Sequence, residues 1–368
     1  MPGVADIFRL HGARYLERFG QSILPSHRRA LRDLSTCRTA ALGGQLFACD
    51  HCGREHYVYH SCRNRACPTC HGKDTRDWLE ARRQELLPVP YFHVVFTLPA
   101  SLRDLVRRHQ KTAYPILMKS AARALMKLAA DPHYVGGLVG VLAVLHTWGG
   151  SLTYHPHVHC LVPGGGQTPD GPWRPARPNY LVPAPALSPL FRGILLDLLA
   201  KALPNVAIPQ SARKQNWVVY CKPSVQGAEK VLRYLGRYVH RIAITDSRIL
   251  KIDDGKVTFR YQNAKTRQWR IMTVTGVEFL RRFLQHVLPK GVHKVRYYGL
   301  WAPSNKGRLQ AIRQQRMTQD ADGAACPTAD SADPSSAQAD SRPQRCPYCQ
   351  KGSLVFLRRI PALQRSPP

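Results

Sequence analysis

Negative charge is what this chain has least of. Its 368 residues include 23 Asp and Glu against 54 Lys and Arg, giving a net charge of +31 and an isoelectric point near 10.2. Such an imbalance points to a polyanionic partner, because neutralising phosphates with Lys and Arg releases counterions and drives binding. Long apolar runs are missing as well. Hydrophobic residues make up 44% of the chain, yet no stretch approaches the roughly 20 uninterrupted apolar residues of a membrane span. No basic amphipathic anchor or lipidation motif stands out, so a membrane is not the expected partner and nucleic acid is. Nor does a basic-then-apolar leader open the sequence, since acidic and basic residues alternate from Asp6 to Arg18. The expected location is the cytoplasm, with the nucleoid. No repeat of fixed period is visible.

Cysteine, by contrast, is abundant for a reducing compartment, with eleven in the chain. In the cytosol such a count means metal ligands or buried thiols rather than disulfides. Cys49-Asp50-His51-Cys52-Gly53 and Cys67-Pro68-Thr69-Cys70 are two CxxC knuckles separated by fourteen residues, 53 to 66. A tight turn in each points both sulfurs one way, and two such knuckles converging supply the four thiolates of a structural zinc site. Cys49, Cys52, Cys67 and Cys70 are therefore the expected zinc ligands, with Cys37, Cys62, His51, His56, His60 and His71 as alternates or a second site, although each of these singly reads as a core thiol or a surface histidine. A third knuckle, Cys346-Pro347-Tyr348-Cys349, has no obvious second pair unless Cys326 or another chain contributes, and is a weak zinc signal. Arg63 and Arg65 beside the knuckles are expected to meet DNA backbone, although a solvated basic face would read the same way.

The most informative stretch is Tyr154-His155-Pro156-His157-Val158-His159-Cys160, followed by Leu161, Val162 and a Pro-Gly-Gly-Gly break. It reads as a strand, so its three histidines share one face. Successive side chains on that face are about 7 Å apart, and two imidazoles so placed hold one divalent metal while leaving positions for substrate. A lone buried histidine is more often a hydrogen-bonded core residue; three in one register favour a metal. Residues 138–145 read as a second strand ending at His146-Thr147-Trp148-Gly149-Gly150, expected as the antiparallel neighbour, which makes His146 a candidate third ligand. Further on, a helix starting at Gly227 or Ala228 and running to about residue 240 carries Tyr234 and Tyr238, one turn apart on one face. Such a pair is usually core, but Arg233, Arg237 and Arg241 interleave with it and suit a phosphate-facing surface. Together these parts pose a phosphoryl transfer, in which Mg²⁺ or Mn²⁺ polarises a phosphate and a tyrosine attacks phosphorus.

Around them the periodicity predicts helices over 5–34, 78–87, 101–130 (broken or kinked at Pro115), 187–203 and 277–287. Strands are predicted over 91–98, 217–221 and 294–298, with short β-segments between 242 and 274. An Ala-, Asp-, Ser- and Pro-rich stretch from about 318 to 345 reads as a disordered linker. The expected organisation is a helical and zinc-binding segment (1–87), a catalytic domain (88–300), a basic segment and linker (301–345) and a tail with the last knuckle (346–368).

Several of these motifs, in this order, resemble one known family. Cys37-Arg38-Thr39-Ala40-Ala41-Leu42-Gly43-Gly44, Ser61-Cys62-Arg63-Asn64-Arg65, Tyr91-Phe92-His93-Val94-Val95-Phe96-Thr97-Leu98-Pro99, His155-Pro156-His157-Val158-His159 and Tyr234-Leu235-Gly236-Arg237-Tyr238 look like the two-tyrosine, rolling-circle transposases of the IS91 type, within the HUH endonuclease superfamily. The resemblance runs from Arg29 to about Gly299. It implies an α/β (α+β) fold with an HUH-type antiparallel sheet flanked by helices and a small N-terminal zinc-ribbon-like domain. It also implies nicking and joining of single-stranded DNA at the ends of a mobile element. His157 and His159 would be metal ligands, and Tyr234 and Tyr238 nucleophiles forming a 5′-phosphotyrosine. Competing expectations are a relaxase or replication initiator with the same chemistry, and a noncatalytic zinc-dependent DNA-binding protein. The sequence does not give an oligomeric state.

Overall fold

The computed structural model describes residues 2–223, 230, 232, 236, 239, 243–263, 266–321 and 345–363, the side chains of 319–321 excepted. The chain opens with helices α1 (Val4–Phe19) and α2 (Pro25–Ser35). The predicted helix over 5–34 is thus two, because Gly20 ends the first and Pro25, which has no N–H to give, begins the second. Strands β1 (Gly44–Cys49) and β2 (Glu55–Tyr59) flank the first knuckle, and α3 (Gly72–Arg83) follows the second. After β3 (Tyr91–Thr97) come α4 (Arg103–Arg108) and α5 (Gln110–Ala129). The break lies at His109, and α5 runs through Pro115, whose missing donor falls within two turns of the helix start.

Strands β4 (Gly140–Trp148) and β5 (Tyr154–Pro163) are the centre of the molecule, followed by the short pair β6 (Gly165–Gln167) and β7 (Trp173–Pro175). Next are α6 (Ala184–Ala202), α7 (Gln210–Lys214) and β8 (Val219–Pro223). A meander of β9 (Ile249–Asp253), β10 (Lys256–Gln262) and β11 (Trp269–Thr275) leads to α8 (Gly276–Leu284), β12 (Val295–Gly299), α9 (Lys306–Ala321) and β13 (Leu354–Ile360). The central sheet has the order β12-β4-β5-β3-β8, with every neighbouring pair antiparallel. Among the described residues no helix is long and apolar enough to cross a membrane.

Because a strand alternates its faces, this sheet has two different sides. One is wholly apolar: Val94, Phe96, Ala143, Leu145, Val158 and Cys160 pack on Tyr114, Leu117 and Ala121 of α5 and on Phe191 and Leu195 of α6. The other side carries the histidines. There Leu142, Val144 and Leu161 share a cluster with Leu232, Val239, Trp301, Leu309 and Ile312. Gly236 presses on Leu79 of α3 so closely that a Cβ would lie 2.6 Å from that leucine. A third core joins α1 and α2 to α8 and the β9–β11 meander, with Phe8 edge-on to Phe283 at 5.3 Å.

Lys306–Ala321, expected as a basic segment running into linker, is a helix whose Leu309 and Ile312 are buried. The tail expected over 346–368 carries β13, which pairs antiparallel with β1 and completes a β13-β1-β2 sheet. Most of the linker expected over 318–345 lies outside the described residues.

Candidate metal centres

Register places the histidines. His146 of β4 and His157 of β5 are directly opposed, and Val144 faces His159 one step along. The short connection from Gly149 to Thr153 and the alternation of β4 and β5 therefore put His146, His157 and His159 on one side. One imidazole nitrogen from each lies within 4.8 Å of the others. Ring centroids are 4.8 Å apart for His157 and His159, 4.2 Å for His146 and His159, and 5.2 Å for His146 and His157.

The tautomers follow from the partners. His157 Nδ1 lies 2.7 Å from the carbonyl oxygen of His155, which only accepts, so Nδ1 carries the proton and Nε2 presents a lone pair. His159 Nδ1 is 2.8 Å from His93 Nε2 on β3, with the two rings parallel to within 7° at 5.1 Å. That contact occupies one nitrogen of His159 and leaves Nε2 to face the other imidazoles. All three are held neutral. Burial pushes His146 and His159 well below the usual imidazole range, and takes His157 down to about 4. Neutral imidazole is the ligand form, so the cluster suits a divalent ion without first having to lose protons.

His155, the first histidine of the run, stands outside this group. Its Nδ1 meets Arg103 at 2.7 Å, and its pKa is lowered by burial and by that guanidinium. Trp148 stacks on His146 at 4.9 Å, and Lys294 Nζ lies 4.6 Å from the Trp148 ring. Burial lowers the Lys294 ammonium to about 7. His93 is the residue that motif reading left without a role. Its signal was period two on β3, which puts it on the same side as its neighbours' histidines.

The expected zinc site regroups. Cys67 and Cys70 do not meet Cys49 and Cys52; they meet Cys37 and Cys62, so the single site expected from Cys49, Cys52, Cys67 and Cys70 is corrected to two clusters. In the first, Cys37 lies 3.7 Å from Cys67 and 3.5 Å from Cys70, and Cys62 lies 3.6 Å from Cys70. Sulfurs about 2.3 Å from a tetrahedral zinc stand about 3.8 Å apart, so these spacings fit. The reason for the regrouping is the third core, in which Cys37, at the end of α2, and Cys67 are both buried. Cys49 and Cys52 instead face Cys346 and Cys349.

Arg65, expected at DNA, is exposed like Arg63, but its side chain is held by the protein's own backbone. Its guanidinium donates to the carbonyls of Leu288, Pro289 and Val292, tying the zinc-binding segment to the loop after α8. Arg63 is exposed and has a φ of 50°. Tyr234, Tyr238, Arg233, Arg237 and Arg241 lie outside the described residues. Leu232, Gly236 and Val239, which bracket the tyrosines in sequence, are buried against the histidine side of the sheet and α3.

Known proteins match both the cysteine-rich segment and the segment with the histidine strands. A family model described as "Transposase zinc-binding domain" matches residues 7–98, a span that holds Cys37, Cys49, Cys52, Cys62, Cys67 and Cys70. Another, described as "Putative transposase", matches residues 140–308 and so includes the histidine strands. The "Putative transposase y4qJ" of Sinorhizobium fredii (strain NBRC 101917 / NGR234) is 40% identical over 389 aligned residues, covering 97% of this chain and 95% of that protein. The "Transposase for insertion sequence element IS801" of Pseudomonas savastanoi pv. phaseolicola is 29% identical over 286 residues, 72% of this chain and 68% of its own length. No solved structure matches. Zinc is the metal that four-thiolate clusters in a zinc-binding domain select. By near full-length identity and by the order of its two matched regions, the chain belongs to the IS91-type transposases with an N-terminal zinc-binding domain.

Proposed function

We propose that this transposase nicks and rejoins single-stranded DNA at the ends of its mobile element, using Tyr234 and Tyr238 as nucleophiles beside a divalent-metal site of His146, His157 and His159. The observation that carries the proposal is the cluster of three neutral imidazoles on the side of the sheet where Leu232 and Val239 are packed. Mg²⁺ or Mn²⁺ bound there would supply Lewis-acid polarisation of the scissile phosphate and keep positions open for its oxygens. The residues do the rest. His157 is fixed by the His155 carbonyl and His159 by His93, so the imidazoles are oriented before DNA arrives. A tyrosine hydroxyl gives up its proton and bonds to phosphorus. The P–O3′ bond breaks and the departing 3′ oxygen takes up a proton. The phosphodiester is conserved as a 5′-phosphotyrosine, which a later 3′-hydroxyl attacks to rejoin the strand. A second tyrosine one helical turn away permits a second transfer without release of the first strand. Acting on DNA, the protein has its place at the nucleoid.

The test is an adduct. Purified full-length protein is incubated with Mn²⁺ and single-stranded DNA carrying the element's end, then denatured. The expected result is a protein–DNA band that survives denaturation and disappears in Tyr234→Phe/Tyr238→Phe. Its absence with the unmodified protein, or its persistence at full strength in the double variant, overturns the mechanism.

A further inference from the structure

We propose that Cys49, Cys52, Cys346 and Cys349 hold a second zinc ion that closes the chain on itself. The four sulfurs converge within 4.8 Å. The two closest contacts both run between knuckles, 3.6 Å from Cys49 to Cys349 and 3.8 Å from Cys52 to Cys346, the latter across 294 residues of chain. These are the edges of a tetrahedron around zinc, and they are far longer than the roughly 2.05 Å of a disulfide bond. Neither matched family region reaches Cys346.

Both halves are built alike. Each is a Cys-x-x-Cys turn followed by a residue in the left-handed region, Gly53 at φ 68° and Gln350 at φ 57°. Gln350 is not glycine, so its conformation carries a steric cost that the surroundings must offset. Backbone amides point at the sulfurs. His51 and Cys52 N–H approach Cys49 Sγ at 3.4 Å, and Gly352 N–H approaches Cys349 Sγ at 3.5 Å. A thiol is a weak acceptor and a metal-bound thiolate a good one, so amides gathered there support thiolates. Gly352 is required by closeness, since a Cβ would stand 2.5 Å from Cys49 Sγ. Asp50 N–H donates to the Ser353 carbonyl at 3.1 Å and Ser353 N–H to Asp50 Oδ1 at 2.8 Å, which locks one knuckle to the other.

Something must hold this sheet, and its apolar core is too small to do so. Cys49, Cys346 and Leu354 are its clustered buried members, with Phe47 and Cys349 packed against them and Leu46 of β1 buried besides, while Val355, Phe356 and Leu357 of β13 are about half exposed. Units with so little burial depend on a metal or another cross-link. Zinc at these four sulfurs thus fastens β13 onto β1 and returns the end of the chain to its zinc-binding module.

This inference goes beyond the proposed chemistry and does not depend on it. Full-length protein purified without chelator is analysed for metal. Two zinc ions per chain are expected, one for each thiolate cluster, and one in Cys346→Ser/Cys349→Ser. A single zinc in the unmodified protein, or two in the double variant, overturns the proposal. The unmodified protein also gives a readout that needs no variant, by alkylating its thiols and mapping them by mass spectrometry. Cys346 and Cys349 are expected to resist alkylation together with Cys49 and Cys52 until a zinc chelator is added. Full reactivity in the zinc-loaded protein, or a disulfide that only reductant opens, overturns it.

Discussion

His93 Nε2 and His159 Nδ1, on adjacent strands, are 2.8 Å apart with their rings nearly parallel. The pair fixes which nitrogen of His159 remains for a metal. An outer partner of this kind typically changes metal affinity by about 10–100-fold when it is removed. His93→Leu, which fills the space and removes the partner, is therefore expected to weaken Mn²⁺ binding by about that factor. His93→Gln, which keeps an amide in reach, should recover part of the loss. Titration of Mn²⁺ followed by its electron paramagnetic resonance checks this; equal affinities in all three proteins would remove His93 from the site.

Several buried histidines make stability depend on pH in one direction. Burial pushes His286 down to about 3 and His27 down to about 4, and metal-free His146, His157 and His159 are displaced the same way. In the unfolded chain these rings bind a proton near pH 6.5. Between about 6.5 and 4 the unfolded state holds more protons than the folded state, so protonation favours unfolding. The stability that these groups contribute is complete above pH 6.5 and declines as pH falls toward 4. Urea midpoints of the metal-free protein are expected to be level near neutrality and to drop across that window. His286→Asn should flatten the slope, and an unchanged slope would show that His286 is not among its causes.

The sequence made some of this legible and concealed the rest, for physical reasons. The histidine side of β5 was readable because strand alternation is local, and the Trp148-Gly149-Gly150 turn made β4 its neighbour. The CxxC knuckles were readable for the same reason. Their partners were not: Cys37 and Cys62 stand singly in sequence, and Cys346 comes 294 residues after Cys52. Spacing records the turn and not the pairing in space. The three carbonyls that Arg65 meets were not legible, because a basic residue beside a knuckle reads the same whether it faces phosphate or backbone.

Arg63 and Arg65 are accordingly expected to behave differently. Arg65→Ala leaves the Leu288, Pro289 and Val292 carbonyls without their donor, and hydrogen bonds from charged donors contribute about 1.5–3 kcal/mol. The variant should lose about 2 kcal/mol in urea unfolding while its DNA affinity keeps the salt dependence of the parent. Arg63→Ala should do the reverse, leaving stability intact and reducing the slope of log K against log salt by about 1 if it meets one phosphate. Equal effects on both measurements would mean that the two arginines share one role.

The first thiolate cluster supports more than its own loop. Cys37 and Cys67 are buried in the core that joins α1 and α2 to α8. Asp246 ties the same parts, accepting from the Val4 backbone N–H at 2.8 Å and from the Thr69 hydroxyl at 3.0 Å. Losing zinc there leaves four sulfurs crowded at one point inside that core, with no ion to balance them. Cys37→Ser is expected to lower the thermal midpoint and to speed amide exchange in α1, α2 and residues 62–70, while β4 and β5 keep their protection. Chelator added to the unmodified protein should produce the same regional pattern. Uniform loss of protection across the central sheet would instead show that the zinc core and the histidine sheet unfold as one unit.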